Sequence, residues 1–525
     1  MNKNIFNTQL NNVLPADTVN DAGGVAYNMS SAAALAQYAV TGTFNTTYYV
    51  NDKQHLQRVQ KLAQECSSEF LAKLAVYARQ EAKMKDMPAY LLAVLAARNE
   101  HKLLRKIFDR VCDNSKMLFG FVSIIRSGVT GRRSFGTAIK KMIQSWLTQQ
   151  HNWSLYLSSV GHSNPSMADV IKMVHPKPTN EYQAAMFSYI LGKECDISKL
   201  PLAVRQLIVC NGNFEGDIPD VPFRVLTNYD LSKVHWQRIA TRMPWNTLRQ
   251  SLVLLGRRGV FDSQDTVEKI AQRLSNKNEV LQNNVFPFEL LATWKATKDC
   301  IPIEITNALY DAMDIATHKA PQFNGKTLVA IDTSGSMQWA SLTGASNKPS
   351  IISVVEAAAL IACSILRKNK TTKLIGFDCA QVFNCYTSNG IYVMDDIRAH
   401  DSVFTNMSKM YFNGGGTDCS LPFKYLLSEN LRVDNIIVLS DNQSWSGTYG
   451  PGSASCNAWT QYKKSNPKTR LMCVDLTPNQ TTQVPDNKDV INIGGWSDSM
   501  YGVMSQFFNE HTVVNFVQTI NNTEI

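Results

Sequence analysis

The sequence predicts two architectures in one chain. An α-helical repeat array, an α-solenoid, spans residues 30–320, and an α/β domain with a mostly parallel sheet spans residues 321–525, with residues 1–29 as an N-terminal segment. Three observations carry this reading. Apolar residues recur at helical spacing through the first part. After about Gly325, short apolar β-rich runs alternate with helical stretches. The charge divides at the same boundary: residues 321–525 hold 15 Lys and Arg against 16 Asp and Glu, and the chain's totals of 52 and 43 leave 37 and 27 upstream, a net +10.

A chain of 525 residues with 44% hydrophobic content is too apolar for wholesale disorder and large enough to need no covalent staples. The net charge of +9 permits a nucleic-acid or acidic-membrane partner without requiring one. Residues 1–15 lack the apolar core of a signal peptide, and no apolar run approaches the ~18 residues needed to span a bilayer. The 11 cysteines are odd in number and contain no C-x-x-C pair, which points to reduced thiols in a cytoplasmic protein.

Taken in order, Ser67 and Ser68 are placed to cap a helix with apolar residues Phe70, Leu71, Leu74, Ala75 and Ala78. Asp86-Met87-Pro88 starts the next, with Asp86 as its cap. Leu103–Val111 and Met117–Ile125 follow after polar breaks. Many short helices joined by short turns suggest a repeat array, although no period is assignable. In the second part, Lys326–Ile331, Lys373–Phe377, Asn435–Leu439 and Leu471–Val474 read as strands, and Ile351–Leu366 as a buried helix.

The first α/β strand runs into Asp332-Thr333-Ser334-Gly335-Ser336, with Gly335 allowing a tight bend. Ligands of open α/β sheets bind outside the carboxyl ends of the strands. Thr417 follows three glycines, Gly414 to Gly416, and Asp441 follows the Asn435–Ser440 strand. Two carboxylates and three hydroxyls, without His or Cys, suit a hard divalent ion, Mg²⁺ or Mn²⁺. Few protein charges would leave room for water or a partner's carboxylate.

Asp332, Ser334, Ser336, Thr417 and Asp441 resemble the metal-ion-dependent adhesion site of a von Willebrand factor A domain. The string Gly414 to Pro422 (GGGTDCSLP) is more specific and resembles the G-G-T-D-C-S-L-P segment of the Ro ribonucleoprotein family, the Ro60-like proteins with a TROVE module. Tyr48-Tyr49-Val50, Gly131–Trp146, Asp169–Pro178, Met243-Pro244, Gly259-Val260-Phe261 and Phe286-Pro287-Phe288 fit further landmarks of that family in order. The resemblance implies a ring of HEAT-like helical repeats closed by a Rossmann-like A domain. It implies a non-enzymatic scaffold that binds small non-coding Y RNA on a basic outer face and single-stranded 3′ ends of misfolded RNA in the central hole. In bacteria it implies RNA quality control with an exoribonuclease as partner. Two departures stand out. Met167 occupies a position where the family often has His, and Leu248–Leu252 reads LRQSL in place of an L-R-N-L run.

The charge split supports RNA independently, because Lys and Arg neutralising phosphates supply most non-specific affinity. Arg126, Arg132, Arg133, Lys140 and Lys141 form one basic stretch, Lys172, His175 and Lys177 a second, and Arg257-Arg258 a third. Other motifs are rejected. Gly325-Lys326-Thr327 imitates the end of a P-loop, but Ala320 stands where its first glycine belongs and a strand follows. No H-E-x-x-H or G-x-S-x-G occurs. Trp236, Trp245 and Trp294 read mostly as core, with a few ring-lining aromatics open to stacking on bases, and Ser444–Ser455 reads as a loop beside Asp441. One hydroxyl-rich metal site without a general base is poor equipment for a hydrolase. The competing expectation is a protein-interaction module whose metal captures a partner's carboxylate.

Overall fold

The computed structural model describes residues 14–525 except 42–43, 45, 215–217, 220, 228, 340–351, 380–389, 413, 447–451, 496–498 and 511–514; residues 1–13 of the N-terminal segment, Ile351 of the expected buried helix and the middle of the Ser444–Ser455 loop therefore lie outside the described residues. The helical part begins with α1 (Ser31–Thr41), α2 (Asp52–Glu65), α3 (Ser68–Gln80), α4 (Asp86–Ala97), α5 (His101–Val111), α6 (Ser115–Ser127), α7 (Gly136–Gln149), α8 (Asn152–Ser159) and α9 (Met167–Val174). Each stacks on its near successors: α3 on α4 and α5, α4 on α6, α5 on α7, and α6 and α7 on α9. Short helices continue to Ile303–Ala316.

Caps set the boundaries. Ser67 accepts from the Phe70 amide at 3.2 Å and starts α3. Asn114 does the same for α6, which ends at Gly128 in the left-handed conformation that glycine adopts without strain. Asp86 differs from expectation: Lys85 holds the cap position of α4, and Asp86 lies inside the first turn. There its charge faces the helix N-terminus, so it acts through the dipole and not as a capping acceptor.

The second part is a six-stranded sheet of β3 (Thr327–Asp332), β4 (Lys373–Phe377), β5 (Ile391–Val393), β6 (Asn435–Ser440), β7 (Arg470–Asp475) and β9 (Val490–Gly494), in the order β5-β4-β3-β6-β7-β9. Only the edge strand β5 is antiparallel. Val354–Lys368 is the expected buried helix, and Ser353 and Glu356 form its capping box. Lys326, the would-be P-loop lysine, leads into β3 with its amide on Asp434 Oδ2 at 2.7 Å.

The N-terminal segment is fastened to this domain. β1 (Thr18–Val19) and β2 (Val25–Asn28) form a hairpin, and β2 pairs with β8 (Thr481–Thr482). Two joints then connect the helical array to the sheet domain. At the first, Gln37 of α1 donates to Asp475 at the end of β7 at 3.2 Å, and Lys73 of α3 donates to the Asn521 carbonyl at 2.9 Å. At the second, Lys295 pairs with Glu356, Arg367 with Asp314 at 3.4 Å, and Tyr310 stacks on Phe404 with centroids 4.1 Å apart. The array thus starts and ends on the same domain. No helix among the described residues is long and apolar enough to cross a membrane.

Between α1 and α2 the chain makes a turn closed by Thr47 N donating to the Val50 carbonyl at 2.8 Å. His55 of α2, with no exposed surface, anchors it: one ring nitrogen lies 3.3 Å from the Tyr38 hydroxyl and the other 3.1 Å from Thr47 Oγ1. Burial, reinforced by Arg58, lowers the His55 pKa to about 4. The neutral ring is therefore the folded form, while the unfolded chain takes up a proton near pH 6.5. Stability is full above the unfolded value and falls as pH drops toward the folded one. The expected loss between about pH 7.5 and about pH 5 is about 2 kcal/mol. Denaturant titrations of wild type and His55→Gln at both pH values check this, and equal pH slopes would refute it.

Candidate metal centre and basic surface

β3 delivers Asp332 to the carboxyl edge of the sheet, between β4 and β6. Its Oδ1 accepts from the Ser334 amide at 2.9 Å, and its Oδ2 accepts from the Ser440 hydroxyl. The glycine loop zips onto this turn: Gly335 N donates to the Gly415 carbonyl at 2.8 Å, and Gly414 N donates to the Thr333 carbonyl at 2.9 Å. Gly335 serves close approach and not a bend: a Cβ there would stand a tight 3.1 Å from the Gly414 carbonyl oxygen and press on the glycine loop. Gly416 lies against the Trp445 ring, where any Cβ would collide.

The Ser334 and Ser336 hydroxyls are 3.2 Å apart, and Ser336 acts on Asp441 to offset part of what burial does to its carboxyl. Asp441 Oδ1 accepts from the Gln443 amide at 3.2 Å. Thr417 is held by its carbonyl, which accepts from the amides of Trp445 and Ser446, both at 3.2 Å. The sheet edge and these loops therefore set Asp332, Ser334, Ser336 and Asp441 along one rim, with the loop that carries Thr417 zipped beside them.

The five are 0–4% exposed, so water reaches none of them freely. Burial, then repulsion from Asp441, pushes the Asp332 carboxyl up to about 7. Burial likewise raises Asp441. What acts on the pair is desolvation, the neighbouring acid, hydroxyls and backbone amides. Two adjacent buried acids call for a counter-charge, and hard oxygen donors fit a divalent cation. No group of three or more His, Cys, Asp or Glu able to hold a metal occurs among the described residues, so a metal here would rest on the mixed carboxylate–hydroxyl set.

Sequence reasoning missed two neighbours. Asp475, fully buried at the end of β7, is raised well above the usual carboxylate range by burial and accepts from Gln37 Nε2. Tyr49, from the turn between α1 and α2, has its phenol raised to about 12 by burial and then by the charge of Asp441. Tyr49 is visible in the sequence only as a family landmark. Nothing local connects it to a site in the distant second half of the chain.

The basic residues divide differently from their sequence clusters. Arg126, Arg133, Lys141, Lys172, His175 and Lys177 are exposed, and Lys140 is half-buried. The first two clusters merge, because Gln144 of α7 donates to the Val174 carbonyl at the end of α9 at 2.6 Å. Arg257 and Arg258 lie apart, at the end of the Trp245–Arg257 helix, where Arg258 sits 5.3 Å over the Trp236 ring. Arg132 is occupied internally. Its guanidinium donates to the carbonyls of Ser134, Ala96 and Phe135 and to the Asn99 side chain, all at 2.7–3.0 Å. It is a strut for the turn before α7 and is left out of the surface below.

Met167 is buried at the start of α9. Beside Gln250, Arg249 is a buried strut, donating to the Glu289 carbonyl at 2.9 Å and to Thr293 Oγ1 at 2.7 Å. A cavity of about 900 Å³ opens where α3 and α5, the end of the array and the last helices meet, with Lys83, Arg110, Lys319, Tyr77 and Phe286 in its wall.

Residues 326–508 match the family described as Ro60 vWA domain. The chain is 24% identical to RNA-binding protein RO60 of Deinococcus radiodurans, over 93% of this chain and 94% of that one. It is 25% identical to RNA-binding protein RO60 of Caenorhabditis elegans over 42% of this chain and 34% of that one. The crystal structure of the Deinococcus radiodurans RO (RSR) protein is similar in fold, with a TM-score of 0.64 at 20% identity, covering 92% of this chain and 100% of that one.

Proposed function

We propose, on the premise that this chain is a Ro-type protein with a Ro60 von Willebrand factor A domain, that it binds RNA as a non-enzymatic scaffold. The observation that carries this reading is the merged basic surface of α6, α7 and α9. Arg126, Arg133, Lys140, Lys141, Lys172, His175 and Lys177 would neutralise the phosphates of a small, Y-like non-coding RNA there. The cavity beside α3 and α5 would admit a single-stranded 3′ end, with Lys83 on phosphates and Phe286 against bases. Such a scaffold would present misfolded RNA to an exoribonuclease in quality control.

Asp332, Ser334, Ser336, Thr417 and Asp441 would hold Mg²⁺ or Mn²⁺. The metal would supply positive charge to the two buried acids and brace the loops of the sheet edge. The near-zero exposure of the five donors argues against the second reading, in which a partner's carboxylate docks on the metal.

Mobility shift with a structured RNA, with and without a single-stranded 3′ tail, tests the proposal. Tail removal should weaken binding by roughly tenfold or more, the scale of losing one or two stacked bases. Binding indifferent to both the tail and salt would overturn it.

A further inference from the structure

The cavity of about 900 Å³ beside α3 and α5 has residues 522–524 of the chain itself in its wall. The Phe516–Asn521 helix just before them packs on α1 and α3, with Phe516 and Ile520 buried. Phe516 meets the Tyr77 ring edge-on, with centroids 5.9 Å apart, and Lys73 holds the Asn521 carbonyl at 2.9 Å. This helix is an anchor. The segment after it is held more lightly. Thr523 N donates back to the Ile520 carbonyl at 3.0 Å, and Asn522 and Glu524 are exposed. Arg110, on α5, donates to the Glu524 carbonyl at 2.6 Å and to Gln80 Oε1 at 2.8 Å. Part of the cationic wall is thus occupied by the chain's own backbone.

We propose that residues 522–525 are an internal competitor for the cavity, displaced when a single strand of nucleic acid enters and takes Arg110. A carbonyl oxygen carries only a partial charge, whereas a phosphate oxygen takes a guanidinium in shorter, charge-assisted and often paired bonds. Phosphate is therefore the better acceptor, and the exchange at Arg110 favours the strand. The exposed carboxylate of Glu524 opposes a polyanion until the segment moves away. Phe516 and Ile520 stay buried throughout, so the anchor helix keeps its place and only the residues beyond it move. This rests on the reading that the cavity takes a single-stranded 3′ end, and adds to it a built-in restraint on that binding.

Fluorescence anisotropy with an unstructured oligouridylate of about ten nucleotides tests it. The proteins are wild type, a chain cut after Asn522, Arg110→Ala, these two changes combined, and Lys83→Glu. The cut chain should bind roughly tenfold more tightly than wild type, the scale of one hydrogen bond to a charged group. Arg110→Ala should change little in the full chain and weaken the cut chain roughly tenfold, because only there is the guanidinium free for phosphate beforehand. Hydrogen exchange on wild type needs no variant and stands even if the cut chain fails to fold: a peptide covering residues 522–525 should exchange faster once the oligonucleotide binds. Equal affinities of cut and full chain, with Lys83→Glu weakened, keep the strand in the cavity and overturn the competitor. Unchanged or slower exchange of residues 522–525 on binding overturns it as well. If Lys83→Glu binds as wild type does, the strand lies elsewhere, and the cavity reading falls together with the competitor.

Discussion

Reversing charge at Arg133, Lys141 and Lys177 together should weaken binding of structured RNA by roughly 10- to 1000-fold near physiological salt, and should flatten the dependence of log affinity on log salt by about three units. The three residues are exposed, Lys141 and Lys177 beside the contact of α7 with the end of α9 and Arg133 in the turn before α7 against Gly128, so reversal changes the surface charge without removing struts. Arg132→Ala is the informative contrast. It abolishes four hydrogen bonds around the turn before α7 and should cost about 2–4 kcal/mol of stability, while leaving the salt slope of the surviving folded protein nearly unchanged. Fluorescence anisotropy over a salt series reads the first effect, and denaturant titration reads the second. An unchanged slope in the triple variant would remove RNA from the α7–α9 face.

Asp332→Asn should abolish metal binding, lowering affinity for Mg²⁺ or Mn²⁺ by a factor of about 100 or more. At a metal concentration about a hundredfold above its dissociation constant, binding stabilises the folded protein by about 2.7 kcal/mol, and the variant should lack this gain. Without metal the order should reverse. The amide keeps the shape of the side chain and removes one of two adjacent buried charges, so the metal-free variant should unfold no earlier than metal-free wild type at about pH 8. Thermal melts of both proteins, with and without Mg²⁺, test the crossing. A variant that still gains stability from Mg²⁺ would place the ion elsewhere.

Much of the site was legible because its donors sit at the ends of strands that announce themselves. TLVAID and NIIVLS are continuous apolar runs buried on both faces, and each ends on the acid in question or one residue before it. The short strands were not legible. Thr481–Thr482 and Thr18–Val19 are two residues long, and each is a strand only through its pairing with β2, which joins the two ends of the chain. Gln37 reached the sheet edge unannounced for the same reason: a side chain's long-range partner leaves no periodic trace. Arg132 and Arg133 show the complementary limit. Adjacent in sequence and alike in chemistry, they differ only in whether neighbouring carbonyls happen to face the guanidinium.

The two joints carry a consequence for how this architecture can change. An open solenoid grows or shrinks by whole repeats, because a duplicated helix pair only lengthens it. Here the first helix abuts the sheet end and the last abuts the Val354–Lys368 helix of the same domain, so the circumference is fixed. An extra helix pair would force one joint apart, and a deleted pair would leave a gap that neither joint can span. The number of helices is therefore locked by geometry, and variation is confined to loops and surface residues such as those on the α7–α9 face.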